Sequence, residues 1–250
     1  MSFTMTKAVL QHAVRFIVAA PLLAAVVAAI GVYQPYLRER KIARAIEQSG
    51  GSVDQCAQPP TWMPSAIHSR LPIFDRPWNV IFLPGHVPTS LLQNVRHLTA
   101  NQALDLSNTT ITDTDLEHLR GITSLWRLRL NGTSITDSGL ECLQGMTDLR
   151  RLELRNTAIT GSGLRHLRTM RNLRGLALSG TSVTNADLKQ LKDFYTLKVL
   201  DLRSTPITDD GLKSLHEMTQ LQEIWLEEAQ TTEQGRDLLR KALTTCPVFP

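Results

Sequence analysis

Residues 125–146 read LWRLRLNGTSITDSGLECLQGM, and this stretch recurs along most of the chain with a fixed period of 24 residues. The shared pattern is LxxLxLxxTxITDxGLxxLxxM. Two apolar columns keep this period without a slip: Leu104, Leu128, Leu152, Leu176, Leu200 and Ile224 form the first, and Leu106, Leu130, Leu154, Leu178, Leu202 and Leu226 form the second. A constant period of this length indicates one structural unit that is copied and stacked.

Each copy has the pattern of a strand, a turn and a short helix. The LxL pair predicts a strand in which Leu128 and Leu130 point to the core while Arg129 points to the opposite face. Thr136 is a good helix N-cap, and the leucines that follow at i and i+3 predict a helix of about two turns. One copy is too small to bury its own leucines. Neighbouring copies must therefore stack, with parallel strands ~4.8 Å apart.

The array is predicted to be an α/β solenoid of seven units over residues 77–244. Its first and last units are degenerate: the first lacks both threonines, and the last has Arg236 in a leucine column. Polar or irregular end units are expected where a solenoid meets water. Residues 245–250 are predicted as a C-terminal tail, in which Val248 and Phe249 are apolar enough to cover the last unit.

The TxITDxGLxxL ending resembles the leucine-rich repeat superfamily and is similar to its bacterial short-repeat type. This resemblance implies a solenoid with parallel strands on a concave face, short helices on a convex face, and a role in protein–protein interaction. The superfamily usually carries asparagine where this chain has threonine, so a ladder of hydroxyl groups is expected beneath the strands. These threonines are Thr109, Thr133, Thr157, Thr181 and Thr205.

The front of the chain predicts a membrane anchor. No charged residue lies between Arg15 and Arg38, and about twenty apolar residues suffice to cross a bilayer. Residues 14–36 are therefore predicted as a transmembrane signal anchor after a tail at 1–13. Cleavage as a signal peptide, which would release a soluble exported protein, is the alternative. Residues 37–76 are predicted as a juxtamembrane helix followed by an N-terminal cap.

The basic residues around this segment and a Trp-Met-Pro block at residues 62–64 resemble a bacterial group of membrane-anchored repeat proteins. Residues 1–76 carry eight Lys/Arg against four Asp/Glu, whereas residues 77–250 carry nineteen of each. The solenoid is therefore neutral as a whole, and the high isoelectric point is no argument for nucleic acid. More basic residues follow the apolar segment than precede it, which favours a cytoplasmic solenoid. The three cysteines are too few and too scattered for a disulfide framework.

Strand alternation places a mixed set of charges and one tryptophan on the concave face. Arginine and tryptophan are favoured at the energetic centres of protein interfaces, so this face is the candidate partner-binding site. Its predicted residues are Arg127, Arg129, Arg151, Glu153, Arg155, Asp201, Arg203 and Trp225. Charge reversal of Arg127, Arg129 and Arg155 together is predicted to abolish partner capture with little change in thermal midpoint. Alternatively, neighbours of opposite sign simply pair with one another across the strands, at ~0–1 kcal/mol for each exposed pair.

Signals for catalysis and for cofactors are absent from the sequence. No glycine-rich phosphate loop, nucleophile elbow or zinc-protease motif occurs. His118, Cys142 and His166 share one helix column, but neighbouring helices in a stack lie too far apart for metal bonds of ~2.0–2.3 Å. We therefore expect a membrane-tethered interaction module that binds another protein, with no metal, nucleic acid or small-molecule substrate. A substrate-recognition subunit of a protein-modifying complex is a further alternative.

Overall fold

The computed structural model of this chain describes residues 37–56, 76–98 and 103–249. The predicted tail and membrane segment, residues 1–36, lie outside these ranges, as does most of the predicted cap, residues 57–75. No helix within the described ranges is long and apolar enough to span a membrane.

The described strands form a single sheet in chain order. The first two strands pair antiparallel, and each later strand pairs parallel with the strand before it. The strands are β1 Ser52–Cys56, β2 Arg76–Ile81, β3 Ala103–Asp105, β4 Arg127–Arg129, β5 Arg151–Glu153, β6 Gly175–Ala177, β7 Val199–Asp201, β8 Glu223–Trp225 and β9 Val248–Phe249. From β2 to β9 each residue pairs with the residue 24 positions later, which is its equivalent in the next unit, as Leu128 does with Leu152. The predicted stacking of copies with parallel strands is confirmed.

Short helices connect the strands on the other side of the core. The α-helices are α1 at residues 37–48, α2 Thr89–Val95, α3 Asp113–Leu116, α4 Asp137–Cys142, α5 Gly161–Leu164, α6 Asp209–Leu212 and α7 Glu233–Ala242. Several continue as 3₁₀ turns, and the segment Asp187–Asp193 is 3₁₀ throughout. The α-helical parts are thus shorter than predicted. A 3₁₀ helix rises about 2.0 Å per residue, more than an α-helix does. A short segment is therefore long enough to carry the chain back to the next strand.

The leucine columns form one continuous core along the solenoid. Leu128, Leu130, Leu140 and Leu143 have no solvent-exposed surface, and their equivalents in the other units belong to the same apolar cluster. A fully buried leucine contributes about 1.5–3 kcal/mol relative to an exposed one. This burial is available only when units stack, which is why the repeats specify the fold together.

Both ends of the sheet are covered by elements that differ from the repeat. At the front, α1 occupies the range predicted for the juxtamembrane helix and packs Ile42 and Ile46 into the core. The antiparallel strand β1, which the sequence pattern did not predict, lies beside β2. At the far end, Val248 and Phe249 form a strand next to β8. The segment predicted as a tail therefore contributes the last rung of the sheet.

The predicted hydroxyl ladder forms a buried column but does not link the units. Each threonine hydroxyl donates to the leucine carbonyl three residues earlier, at 2.5–2.7 Å, as Thr157 does to Leu154. The hydroxyl therefore closes a turn inside its own unit. A threonine side chain is too short to reach the next unit as the longer asparagine side chain would.

A different set of side chains links neighbouring units. The carboxylate of Asp137 accepts hydrogen bonds from the Thr160 backbone N–H at 2.8 Å and from the Thr160 hydroxyl at 2.5 Å. It lies against Gly163, where a Cβ would overlap it. The same pattern joins Asp113 to the next unit, and equivalent residues repeat it further along. The TDxG motif is therefore a contact between units as well as a helix start.

Candidate functional site

The concave face, the side of the sheet opposite the helices, contains a hollow of about 320 Å³ over β5–β7. Its floor is low because Gly175 and Ala177 are smaller than the residues beside them on the adjacent strands, which are Arg151, Glu153, Val199 and Asp201. All eight residues predicted for the binding face line this hollow: Arg127, Arg129, Arg151, Glu153, Arg155, Asp201, Arg203 and Trp225. Strand alternation combined with a constant period is sufficient to bring them together.

Glu153 is the centre of one group of ion pairs on this face. Its Oε1 accepts from Arg127 Nη2 at 2.6 Å and from Arg129 Nε at 3.3 Å. Arg155 Nη1 lies 3.6 Å from its Oε2. The residue is only 6% exposed. Burial acts to raise the pKa of Glu153, but the hydrogen bond and charge of Arg127, with the charge of Arg129, outweigh it and hold the pKa below its usual value.

Asp201 is the centre of a second group. Arg203 donates to both of its carboxylate oxygens at 2.9 Å, and Arg155 Nε donates to Oδ2 at 3.0 Å. The residue is 3% exposed. Burial acts to raise the pKa of Asp201, but the hydrogen bonds and charge of Arg203 outweigh it and lower the pKa. Arg155 contacts both carboxylates, so it joins the two groups into one network.

Two further carboxylates complete this network. Asp105 pairs with Arg129 at 2.8 Å, and Glu227 lies 3.7 Å from Arg203. The network then contains equal numbers of arginines and carboxylates: Arg127, Arg129, Arg155 and Arg203 with Asp105, Glu153, Asp201 and Glu227. The pairing of neighbours of opposite sign is thus present in the structure. It holds the guanidinium groups in defined positions at the rim of the hollow.

Trp225 forms the far wall of the hollow. Its ring stacks on Phe249 with centroids 4.1 Å apart and an angle of 17°. The guanidinium of Arg203 lies 5.6 Å from the Trp225 ring centroid, which is within cation–π range. Phe249 was missed as a supporting residue of the site. It stands one full period after Trp225, so the repeat itself could have identified it.

The helix column that contains His118, Cys142 and His166 distributes these side chains over three successive units. Among the described residues, no three His, Cys, Asp or Glu side chains lie close enough together to hold a metal ion. His166 Nδ1 is hydrogen-bonded to the Gln144 amide at 2.6 Å. Cys142 is buried, with 5% exposure.

Comparison with known proteins agrees with this architecture. The family described as Leucine Rich repeat matches residues 196–215. No curated protein matches the chain significantly. Among solved structures, an internalin from Listeria monocytogenes (inlF) is similar at 25% identity and a TM-score of 0.51, over 63% of this chain and 43% of the internalin. The chain thus spans less than half the length of that protein.

Two other solved structures are more distant. Internalin C2 from Listeria monocytogenes has 20% identity over 68% of this chain and 79% of its own, with a TM-score of 0.48. A leucine-rich repeat protein from Leptospira interrogans has 20% identity over 62% of this chain and 38% of its own, with a TM-score of 0.46. These scores are too low to add to the argument. The repeat pattern, the stacked parallel sheet, the match of the family model to residues 196–215 and the likeness to the first internalin all support the leucine-rich repeat superfamily.

Proposed function

We propose that this chain is an interaction module that recruits another protein on its concave face. The observation that carries the proposal is the hollow above Gly175 and Ala177. Arginines held by ion pairs and the stacked Trp225 surround it. Arginine and tryptophan dominate the binding energy of many interfaces. Side chains that are already fixed lose less conformational entropy when a partner binds.

A photocrosslinking experiment tests this proposal in cells. We would place benzoylphenylalanine at Ser179 on the concave face, and at Lys189 on the helix side of the same unit as the control. We expect a discrete adduct with a partner from Ser179 only. Ala177→Trp should fill the hollow and remove the adduct, whereas Lys189→Trp should leave it. Equal adducts from both positions, or an adduct that survives Ala177→Trp, would overturn the proposal.

The proposed module is tethered to a membrane by residues 14–36. Support comes from the uncharged run between Arg15 and Arg38. An arginine at the centre of a spanning helix costs about 2.5–3.5 kcal/mol of insertion. Leu23→Arg with Val27→Arg should therefore move the full chain from the carbonate-resistant membrane fraction to the supernatant.

The matched control is Ser138→Arg with Ser162→Arg, two exposed positions in the solenoid, and it should leave the chain in the membrane. If the amino terminus proves to be cleaved after the apolar run, residues 14–36 are a signal peptide and not a membrane anchor. An unchanged distribution of the Leu23→Arg, Val27→Arg variant would also contradict the tether.

The proposed location of the solenoid is the cytoplasmic side. Four basic residues follow the apolar run, and two precede it. Cys142 and Cys246 are each 5% exposed and are unsuitable as reporters. A thiol placed at the exposed position Ser134, in a Cys56→Ser background, should react with an impermeant maleimide only after the cells are permeabilised. Labelling of intact cells would place the solenoid outside.

A further inference from the structure

Several cations that stand outside the concave network lie together in one row. Arg150, Arg174 and Lys198 occupy equivalent positions immediately before β5, β6 and β7. Backbone hydrogen bonds join them directly: the Arg174 N–H donates to the Arg150 carbonyl at 2.8 Å, and the Lys198 N–H donates to the Arg174 carbonyl at 2.7 Å. The three positions are therefore held one strand apart, ~4.8 Å. With Arg151 at the start of β5, they are called here the cationic row.

None of these four side chains forms an ion pair within the part of the chain that the structure describes. Arg150, Arg151 and Arg174 are exposed, and Lys198 is partly exposed. Like charges on adjacent strands repel each other and destabilise a sheet. Arg155 and Arg203, which follow β5 and β7, each have a carboxylate partner. The cationic row is thus a local excess of charge that folding does not explain.

Arg151 connects the cationic row to the hollow. Its side chain lies across Gly175, where an added Cβ would stand 3.2 Å from Arg151 Nε. Arg151 also lines the hollow itself. A partner bound in the hollow would therefore reach the row without leaving the surface.

We propose that the cationic row binds an acidic segment, rich in Asp and Glu, of the partner protein that occupies the hollow. This inference rests on the proposed function. The segment would cross β5–β7 at right angles to the strands. A protein fits better than a nucleic acid or an anionic lipid surface because Glu153, Asp201 and Glu223 line the adjoining hollow. Because arginines line the hollow as well, it presents both signs of charge, which a protein can complement and a uniformly anionic partner cannot.

Fluorescence anisotropy with a defined peptide tests the inference on the full chain in a non-ionic detergent. The probe is a labelled peptide of alternating Glu and Gly, and its Gln analogue is the neutral reference. The variant carries Arg150→Ala, Arg174→Ala and Lys198→Ala. The control carries Arg165→Ala, Lys189→Ala and Lys241→Ala, three exposed cations elsewhere, so that both lose the same charge.

We expect the Glu peptide to bind and the Gln peptide not to bind. The row variant should bind the Glu peptide about tenfold more weakly, as expected from the loss of three exposed charge pairs. The control should stay within about twofold, and added salt should weaken all binding. Equal binding of the two peptides, or equal binding by the row variant and the unaltered chain, would overturn the inference.

Two competitors give further outcomes that decide against a protein segment. The competitors are a single-stranded DNA oligonucleotide and mixed micelles that contain phosphatidylserine. One outcome is that a competitor binds the unaltered chain more tightly than the Glu peptide does and does not bind the row variant. For either competitor, this result would reassign the row to that class of ligand. The crosslink from Ser179 reports on the hollow independently. If the Ser179 crosslink forms but the Glu peptide does not bind, the inference about the cationic row is wrong and the proposed function of the hollow still stands.

Discussion

The carboxylate of Asp187 occupies the space that a side chain on Gly161 would need. A Cβ at Gly161 would overlap the carboxyl group, whose Oδ2 accepts hydrogen bonds from the N–H and the hydroxyl of Thr184 at 2.9 and 2.7 Å. One unit earlier the arrangement is reversed: Asp137 stands at the Gly161 position and Gly163 at the Asp187 position. A carboxylate is thus supplied to the threonine either by the preceding unit or by its own unit, and glycine stands at the other position.

This exchange predicts strong coupling between Gly161 and Asp187. Gly161→Asp alone should lower the free energy of unfolding by about 1–3 kcal/mol, because two carboxylates then compete for one space. Adding Asp187→Gly should recover most of that loss, since the pair would reproduce the Asp137 and Gly163 arrangement. Urea unfolding of the four chains in the cycle measures the coupling. Simple additivity of the two changes would show that the positions do not exchange.

The link between units also predicts a cost for removing one of its carboxylates. Asp137→Ala leaves the N–H and hydroxyl of Thr160 without their acceptor, and should destabilise the chain by about 1–3 kcal/mol. The control is Asp210→Ala, which removes an exposed ion pair with Lys213 worth only ~0–1 kcal/mol. Thermal unfolding compares them. Equal midpoints for the two variants would mean that the Asp137 bonds contribute nothing to stacking.

Much of the fold follows from the leucine columns because a slip of one residue would expose all of them at once. The period also places a residue such as Arg129 on the concave face. The period does not reveal that Asp137 links two units. An acidic residue in the first turn of a helix is already favoured by the helix dipole, so its presence after Thr136 gives no sign of a second role. Strand β1 was missed since it lies outside the period and pairs antiparallel, so no repeat signal marks it.

The candidate site was predictable in its membership but only partly in its contacts. Asp105, Arg129 and Glu153 are register neighbours, so their pairing follows from the period. The contact between Arg155 and Asp201 spans two strands. It forms because the intervening residue in that column, Ala177, is too small to block a long arginine side chain. Such a contact depends on side-chain length and on the local absence of bulk, which strand alternation does not encode.

The lowered pKa values of Glu153 and Asp201 predict a loss of stability in acid. A carboxyl with a depressed pKa in the folded state stabilises the fold above its unfolded value, about 4, and that contribution is lost as the pH falls through the folded pKa. Glu153→Gln with Asp201→Asn should therefore be less stable than the unaltered chain at pH 7. The difference in thermal midpoint should shrink as the pH falls below about 4.

The control for this pH series is Glu141→Gln, an exposed position whose side chain forms no ion pair or hydrogen bond within the described part of the solenoid. Its midpoint should follow that of the unaltered chain at every pH. A constant difference between the double variant and the unaltered chain from pH 7 to about pH 3 would contradict the role of these two carboxylates.

The ion pairs change what is expected from charge reversal on the concave face. Arg127→Glu, Arg129→Glu and Arg155→Glu in one chain would bring three new carboxylates against Glu153 and Asp201, which are 6% and 3% exposed. Breaking a buried pair so that its partner is left uncompensated typically costs about 3–5 kcal/mol. The thermal midpoint should therefore fall, contrary to the expectation from the sequence alone.

Reversal of Arg165, Lys189 and Lys241 to Glu changes the net charge by the same amount on the helix side and should leave the midpoint nearly unchanged. If both triple variants melted together, the pairs at Glu153 and Asp201 would be surface contacts of little energy. If the midpoint of the concave variant were much lower than that of the helix-side variant, a loss of partner binding by the concave variant would reflect unfolding as well as the loss of recognition. Ala177→Trp reduces this ambiguity, because it fills the hollow without changing any charged residue. Its bulk should displace the contact between Arg155 and Asp201, but Arg155 retains Glu153 and Asp201 retains Arg203.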